Sequence, residues 1–116
     1  MLLRASGRTY HKTYDLEAVT GTPDGDGGVP HGRLLVAFAE AVLGDDDVAL
    51  APARAALMTA LGPPGLVDAA GVVGLFNAID RVADATGIPL EPEKAAASAD
   101  FRAALDLDRF AVADRI

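Results

Sequence analysis

The sequence predicts an all-α protein: a small helical bundle of about four to five helices, preceded by a partly irregular N-terminal arm. Three observations support this class. Apolar residues recur at three- and four-residue spacing from residue 31 onward, glycines and prolines separate these stretches, and no strand-like alternation of any length occurs outside the arm. With 51% apolar and 23% charged residues among 116, the composition fits one compact domain and excludes a disordered chain.

The first thirty residues differ in composition from the rest. Residues 1–14 contain three basic side chains, Arg4, Arg8 and Lys12, and no acidic one. A stretch rich in Gly and Asp follows at residues 21–28, where nearly every residue favours turns. We therefore divide the chain into an arm with a flexible linker, residues 1–30, and a helical domain, residues 31–116. The arm is expected to pack on the body or on a neighbouring subunit.

Two short helices are predicted to open the helical domain. The first begins near His31 and ends at Gly44, which supplies a C-terminal stop. The second is expected from about Pro52 to Leu61, with Asp47 available as its cap. The sequence Gly62-Pro63-Pro64-Gly65 should end that helix, because neither proline can continue it.

The third helix, from about Leu66 to Thr86, is the longest and most apolar. Its predicted core face is the apolar stripe of Val72, Leu75 or Phe76, Ile79, and Val82 or Ala83. Gly71 and Gly74 lie in mid-helix, where each costs roughly 1 kcal/mol relative to alanine. Close approach of another backbone would offset that cost, so we expect this helix to be central.

A fourth helical region completes the bundle. Pro92 lies near its start, and Phe101, Ala104 and Leu105 form its apolar face. It is expected to continue after a break near Asp106.

The composition excludes several classes of function. A net charge of −7 argues against nucleic-acid binding, because an acidic surface repels phosphates. Without cysteine there is no disulfide, no thiolate metal site and no thiol nucleophile. No apolar run approaches the roughly 20 residues of a membrane span, and no signal-peptide apolar region follows Met1. We expect a cytoplasmic protein without a membrane or nucleic-acid partner.

The sequence predicts neither a metal site nor a cofactor site. Asp24-Gly25-Asp26 is similar to the opening of a calcium loop, but Leu35 stands at the twelfth position, where a glutamate is required. His11 and His31 have no ligand partner at helical spacing. No serine lies in a nucleophile elbow, and the glycine-rich stretch lacks the Lys-Ser/Thr of a phosphate loop.

Two kinds of candidate functional residue remain. Glu40, inside an otherwise apolar helix, and His31 are weak candidates for acid–base catalysis; the alternative is that both simply face solvent. Asn77, Arg81 and Asp84 have helical spacing and can share partners. Because Asn is unfavourable in mid-helix, these three predict a polar clamp that ties helices or subunits together. The alternative is the lining of a polar pocket.

The stretch from Gly65 to Pro89 resembles a known helix. Its Phe76-Asn77, Arg81, Ala83-Asp84 and Gly87-Ile88 are similar to the C-terminal helix of the alkylhydroperoxidase-like proteins, which share a superfamily with the carboxymuconolactone decarboxylases. Residues 33–43 and 57–62 resemble the two helices before it, so the resemblance covers about residues 31–90. It implies an all-α protein that forms oligomers through its helices.

This chain differs from that family in the residues that carry out catalysis. Its thiol peroxidases carry a Cys-x-x-Cys pair with an associated His on an upstream helix. This chain has no cysteine, so thiol peroxidase activity by that mechanism is excluded for this chain alone.

Three functional hypotheses follow. The first is a non-catalytic or degenerate oligomeric subunit with a structural or binding role. The second is a small cofactor-independent enzyme of the decarboxylase or lactone-handling kind, with its site at a subunit interface and a small-molecule substrate. The third is a complementing half of a peroxidase-related enzyme, with the cysteines on a separate polypeptide. The resemblance covers only the C-terminal helical half of that family, and such a half-length version would expose apolar faces that the missing helices normally cover. Dimerisation or a partner chain would bury these faces.

Overall fold

A computed structural model describes residues 2–19 and 25–110. Within these ranges every regular element is helical, which confirms the predicted all-α class. The four α-helices and two 3-10 turns follow in order: α1 Leu2–Tyr10, a turn at Leu16–Val19, α2 Gly32–Leu43, α3 Asp47–Thr86, α4 Pro92–Ala104 and a turn at Leu107–Phe110.

Part of the predicted flexible linker is an ordered turn that caps α2. The Asp26 carboxylate accepts a hydrogen bond from the Arg33 backbone N–H at 2.9 Å, and the Asp15 N–H donates to the Gly27 carbonyl at 2.9 Å. The first bond satisfies one of the N–H groups that a helix start leaves unpaired. Residues 25–30 therefore join the arm to the body, and residues 20–24 lie outside the described ranges.

The second and third predicted helices meet at a break within α3. α3 has non-helical backbone angles only at Gly62, with φ 72° and ψ 178°, a region that glycine adopts without steric cost. Pro63 restarts the helix at once, because a proline in a first turn needs no N–H partner. Gly62-Pro63-Pro64-Gly65 therefore ends the second predicted helix, as expected, and the third begins at Pro63 instead of about Leu66.

The ends of the helices follow the sequence signals closely. The cap of α3 is Asp46, whose carboxylate accepts from the Val48 N–H at 3.0 Å, one residue before the expected Asp47. Gly87 ends α3 in a left-handed conformation with φ 65°. Asp106, with φ 51°, makes the predicted break after α4.

The core between α2 and α3 is small. Among the described large apolar side chains, Phe38 of α2 and Leu57 of α3 are the buried ones, 4% and 0% exposed. Leu57 thus belongs to the core, and Leu61, one helical turn later, is half-buried. A core of this size covers little of the apolar surface that α3 carries.

Candidate functional site

The most prominent feature of the surface is an uncovered apolar side of α3. Six large apolar side chains there are more than half exposed, and we call them the α3 face. They are Val67 (69% exposed), Val72 (56%), Leu75 (58%), Phe76 (52%), Ile79 (52%) and Val82 (59%). These residues include the stripe predicted as the core of the bundle, so that prediction is wrong for the separate chain.

The α3 face is exposed because the other side of α3 packs against the rest of the chain. Leu66, Ala69 and Val73 recur at three- and four-residue spacing and are half-buried, so they mark the covered side. Leu75 follows Val73 by two positions, which turns it roughly 160° around the helix. The more strongly apolar side of α3 therefore faces solvent.

Small residues lie among the large ones on this surface. Gly71 and Gly74 are exposed, and a Cβ atom added at either would meet no heavy atom within 4 Å. No part of residues 2–19 and 25–110 makes the close backbone approach that we expected at these glycines. Gly71, Leu75, Ala78 and Val82 lie on one helical stripe, so gaps and large side chains alternate along the face.

The predicted clamp residues lie on the other side of α3. Asn77 is half-buried, whereas Arg81 and Asp84 are exposed. Within the described part of the chain, the side chains of these three residues form no hydrogen bond or ion pair, so the expected Arg81–Asp84 pair is absent from the separate chain. The clamp stays a prediction, and its partner would have to come from a second subunit.

The effect of Asn77→Ala on thermal stability tests the clamp. In separate chains alanine should be neutral or slightly stabilising, because no bond is lost and helix propensity improves by roughly 0.5 kcal/mol. If the clamp holds two subunits, Tm should fall at protein concentrations at which the chains associate. Differential scanning calorimetry at high and low concentration measures both cases, and a Tm that rises at both concentrations would contradict the clamp.

The two weak catalytic candidates do not converge. His31 immediately precedes α2 with a left-handed φ of 58° and an exposed side chain. Glu40 is exposed near the other end of α2, beside a shallow apolar groove of about 380 Å³ that includes Val36 and Leu43. His31 and Glu40 are nine positions apart, which corresponds to about 13 Å along a helix and to opposite sides of it. A shared role in one reaction would need side chains from two different subunits.

The described residues offer no cluster of three or more His, Asp or Glu side chains that could hold a metal ion. The carboxylate of Asp26, in the segment similar to a calcium loop, is already bonded to the Arg33 N–H. Asp24 lies outside the described ranges.

α3 is also long and apolar enough to cross a membrane when judged by length and composition alone. Of the apolar stretch of 18 residues that meets this criterion, 6% is buried. Charged residues nevertheless divide α3. The longest uncharged run, residues 55–67, lies between Arg54 and Asp68, contains the break at Gly62 and falls short of the roughly 20 residues that a span needs.

Comparison with known proteins finds no matching family model, no matching curated protein and no matching solved structure. The resemblance of residues 31–90 to the alkylhydroperoxidase-like proteins therefore stays a prediction.

Proposed function

We propose that this protein is a non-catalytic, self-associating helical subunit, and that a second copy of the chain covers the α3 face. The observation that carries the proposal is the exposure of all six large apolar side chains of that face, between 52% and 69%. Monomeric proteins in water rarely leave a contiguous apolar surface of this extent uncovered.

The free energy available from covering this surface supports association. Full burial of a Val, Leu, Ile or Phe side chain contributes about 1.5–3 kcal/mol. Because the six side chains are already about half buried, covering the remainder contributes on the order of 5–9 kcal/mol per copy, and twice that for a pair. Association costs an estimated 4–15 kcal/mol in lost freedom of motion. The burial term of a pair exceeds most of this range, which supports association of two copies.

The arrangement of large and small residues favours a second copy over an unrelated chain. In a two-fold symmetric pair the same patch meets itself, so the patch must be self-complementary. Large side chains such as Leu75 and open positions such as Gly71 and Gly74 lie on the same face. The side chains of one copy can fill the gaps of the other, as ridges fill grooves between packed helices.

The resemblance to the alkylhydroperoxidase-like proteins agrees with this proposal, because it implies oligomers that assemble through their helices. The proposal also places the protein in aqueous solution, where burial of the α3 face is driven by the hydrophobic effect. The alternative is that a membrane covers the α3 face, because α3 satisfies the length and composition criterion for a membrane span.

Sedimentation equilibrium without detergent, combined with vesicle flotation, tests the proposal. We expect the mass of a dimer or a higher homo-oligomer of the 11.9 kDa chain, with the protein remaining below the vesicles. A monomer at all accessible concentrations would overturn the proposal. Flotation with neutral phosphatidylcholine vesicles would overturn it in favour of the membrane alternative.

A further inference from the structure

A groove at the N-terminal end of the molecule combines positive charge with an apolar wall. It lies between the end of α1, the chain after it and α4, and it has a volume of about 620 Å³. Its lining includes the basic side chains Arg8, His11 and Lys12 and the apolar or aromatic side chains Tyr14, Leu16 and Phe101. None of these lining residues belongs to the α3 face.

Close packing fixes the chain around this groove. Gly7 is buried, and a Cβ atom there would lie 3.3 Å from two carbons of the Tyr14 ring and would collide with the Lys12 carbonyl. The Lys12 N–H donates to the Gly7 carbonyl at 2.7 Å, and His11 turns the chain with a left-handed φ of 53°. These contacts set the backbone positions of the three basic residues before any ligand arrives.

The basic side chains of the groove have no acidic partner within the described residues. Other basic side chains of the described residues do form ion pairs: Lys94 with Glu91, Arg102 with Asp108, and Arg109 with Asp106. Arg8, His11 and Lys12 form no ion pair or side-chain hydrogen bond in the described part of the chain. They lie within a segment, residues 1–14, that contains no acidic residue, although the whole chain carries a net charge of −7.

We propose that this groove binds a small organic carboxylate. The carboxylate would accept hydrogen bonds from the Arg8 guanidinium and the Lys12 ammonium, since charged donors bind carboxylates more strongly than neutral donors do. The apolar body of the ligand would lie against Tyr14 and Phe101. Ligand sites commonly combine apolar walls with a few polar groups that fix orientation.

Amide chemical shifts recorded during titration with 4-phenylbutyrate test this site, with the uncharged 4-phenylbutanamide as the matched control ligand. We expect saturable shifts centred on Gly7, Arg8 and Thr13, a Kd in the millimolar range and at least tenfold weaker binding of the amide. The Arg8→Gln/Lys12→Gln variant should bind at least tenfold more weakly. The Arg33→Gln/Arg54→Gln variant, which has the same net charge and alters exposed side chains outside the groove, should bind like the unaltered chain.

Three results would overturn the proposal: equal binding of the acid and the amide, unchanged binding by the Arg8→Gln/Lys12→Gln variant, or shifts centred on Leu75 and Phe76. The last would mean that the probe binds the exposed α3 face through its apolar ring alone. The spectrum of each variant without ligand shows whether Gly7 keeps its chemical shift. If the double variant loses binding and its Gly7 signal is also displaced, the single variants Arg8→Gln and Lys12→Gln take its place. Those single variants that keep the Gly7 signal would then have to bind 4-phenylbutyrate more weakly than the unaltered chain.

Discussion

Replacing Leu75 by lysine is expected to separate the associated chains. Leu75 lies in the middle of the α3 face and is 58% exposed in the separate chain, so lysine there should be tolerated by the fold. In the associated state the ammonium group would lose its water without gaining a partner, at a cost of several kcal/mol. We expect the dissociation constant to rise at least about 100-fold, which corresponds to roughly 2.7 kcal/mol. Sedimentation velocity over a concentration series measures it.

Ala97→Lys is the matched control for this substitution. Ala97 is exposed on α4, and its replacement changes the net charge by the same amount, so it should leave the dissociation constant unchanged. Circular dichroism should show equal helix content in both variants. If Leu75→Lys associates as strongly as the unaltered chain, another surface holds the subunits together.

Leu57→Ala is expected to cause the largest loss of folding stability. Leu57 is fully buried, at 0% exposure, in a core that contains only one other buried large apolar side chain among the described residues, Phe38. Truncating a buried leucine to alanine costs about 2–5 kcal/mol, because apolar contacts are lost and a cavity remains. Such a loss is a large part of the stability of a small domain. Urea unfolding followed by circular dichroism at fixed protein concentration measures the change.

The neighbouring residue provides the control for this measurement. Met58 follows Leu57 on α3 and is 39% exposed, so Met58→Ala should cost no more than about 1 kcal/mol. If the two variants unfolded at the same urea concentration, Leu57 would not be the centre of the α2–α3 core.

The helix ends of this protein could be predicted because their signals are local. Gly44, Gly87 and Asp106 each interrupt a helical pattern, and the backbone leaves the helix at or immediately beside them. The break at Gly62 is also local: Pro63 and Pro64 stop the helix that precedes them, and a proline can begin the next helix because the first turn needs no N–H partner.

The orientation of α3 could not be predicted, because periodicity shows which residues share a face and not what covers that face. The stripe through Val72, Leu75 and Ile79 is the most apolar side of the helix, and the sequence pattern therefore predicts that it lies in the core. In the separate chain that side is exposed, and the less apolar side with Ala69 and Val73 is the covered one.

The arm and its groove depend on contacts between residues that are distant in the sequence. Helix α1 has few apolar residues and a glycine in its interior, which are poor helix signals. Gly7 nevertheless packs against Tyr14, and Phe101 of α4 completes the groove. Of the candidate site residues, His31 and Glu40 are separated by the geometry of α2, which their sequence spacing already implied.

Cysteine cross-linking tests the central claim, association through the α3 face, most directly. The chain contains no cysteine, so a single introduced thiol can join only two copies. Ala78 lies on the α3 stripe, and Asp84, which is also exposed, follows Leu75 by nine positions and lies on the side of the helix opposite to it. With a short bismaleimide cross-linker, we predict that Ala78→Cys gives a covalent dimer and that Asp84→Cys does not. Equal cross-linking of both variants, or cross-linking of Asp84→Cys alone, would contradict the account.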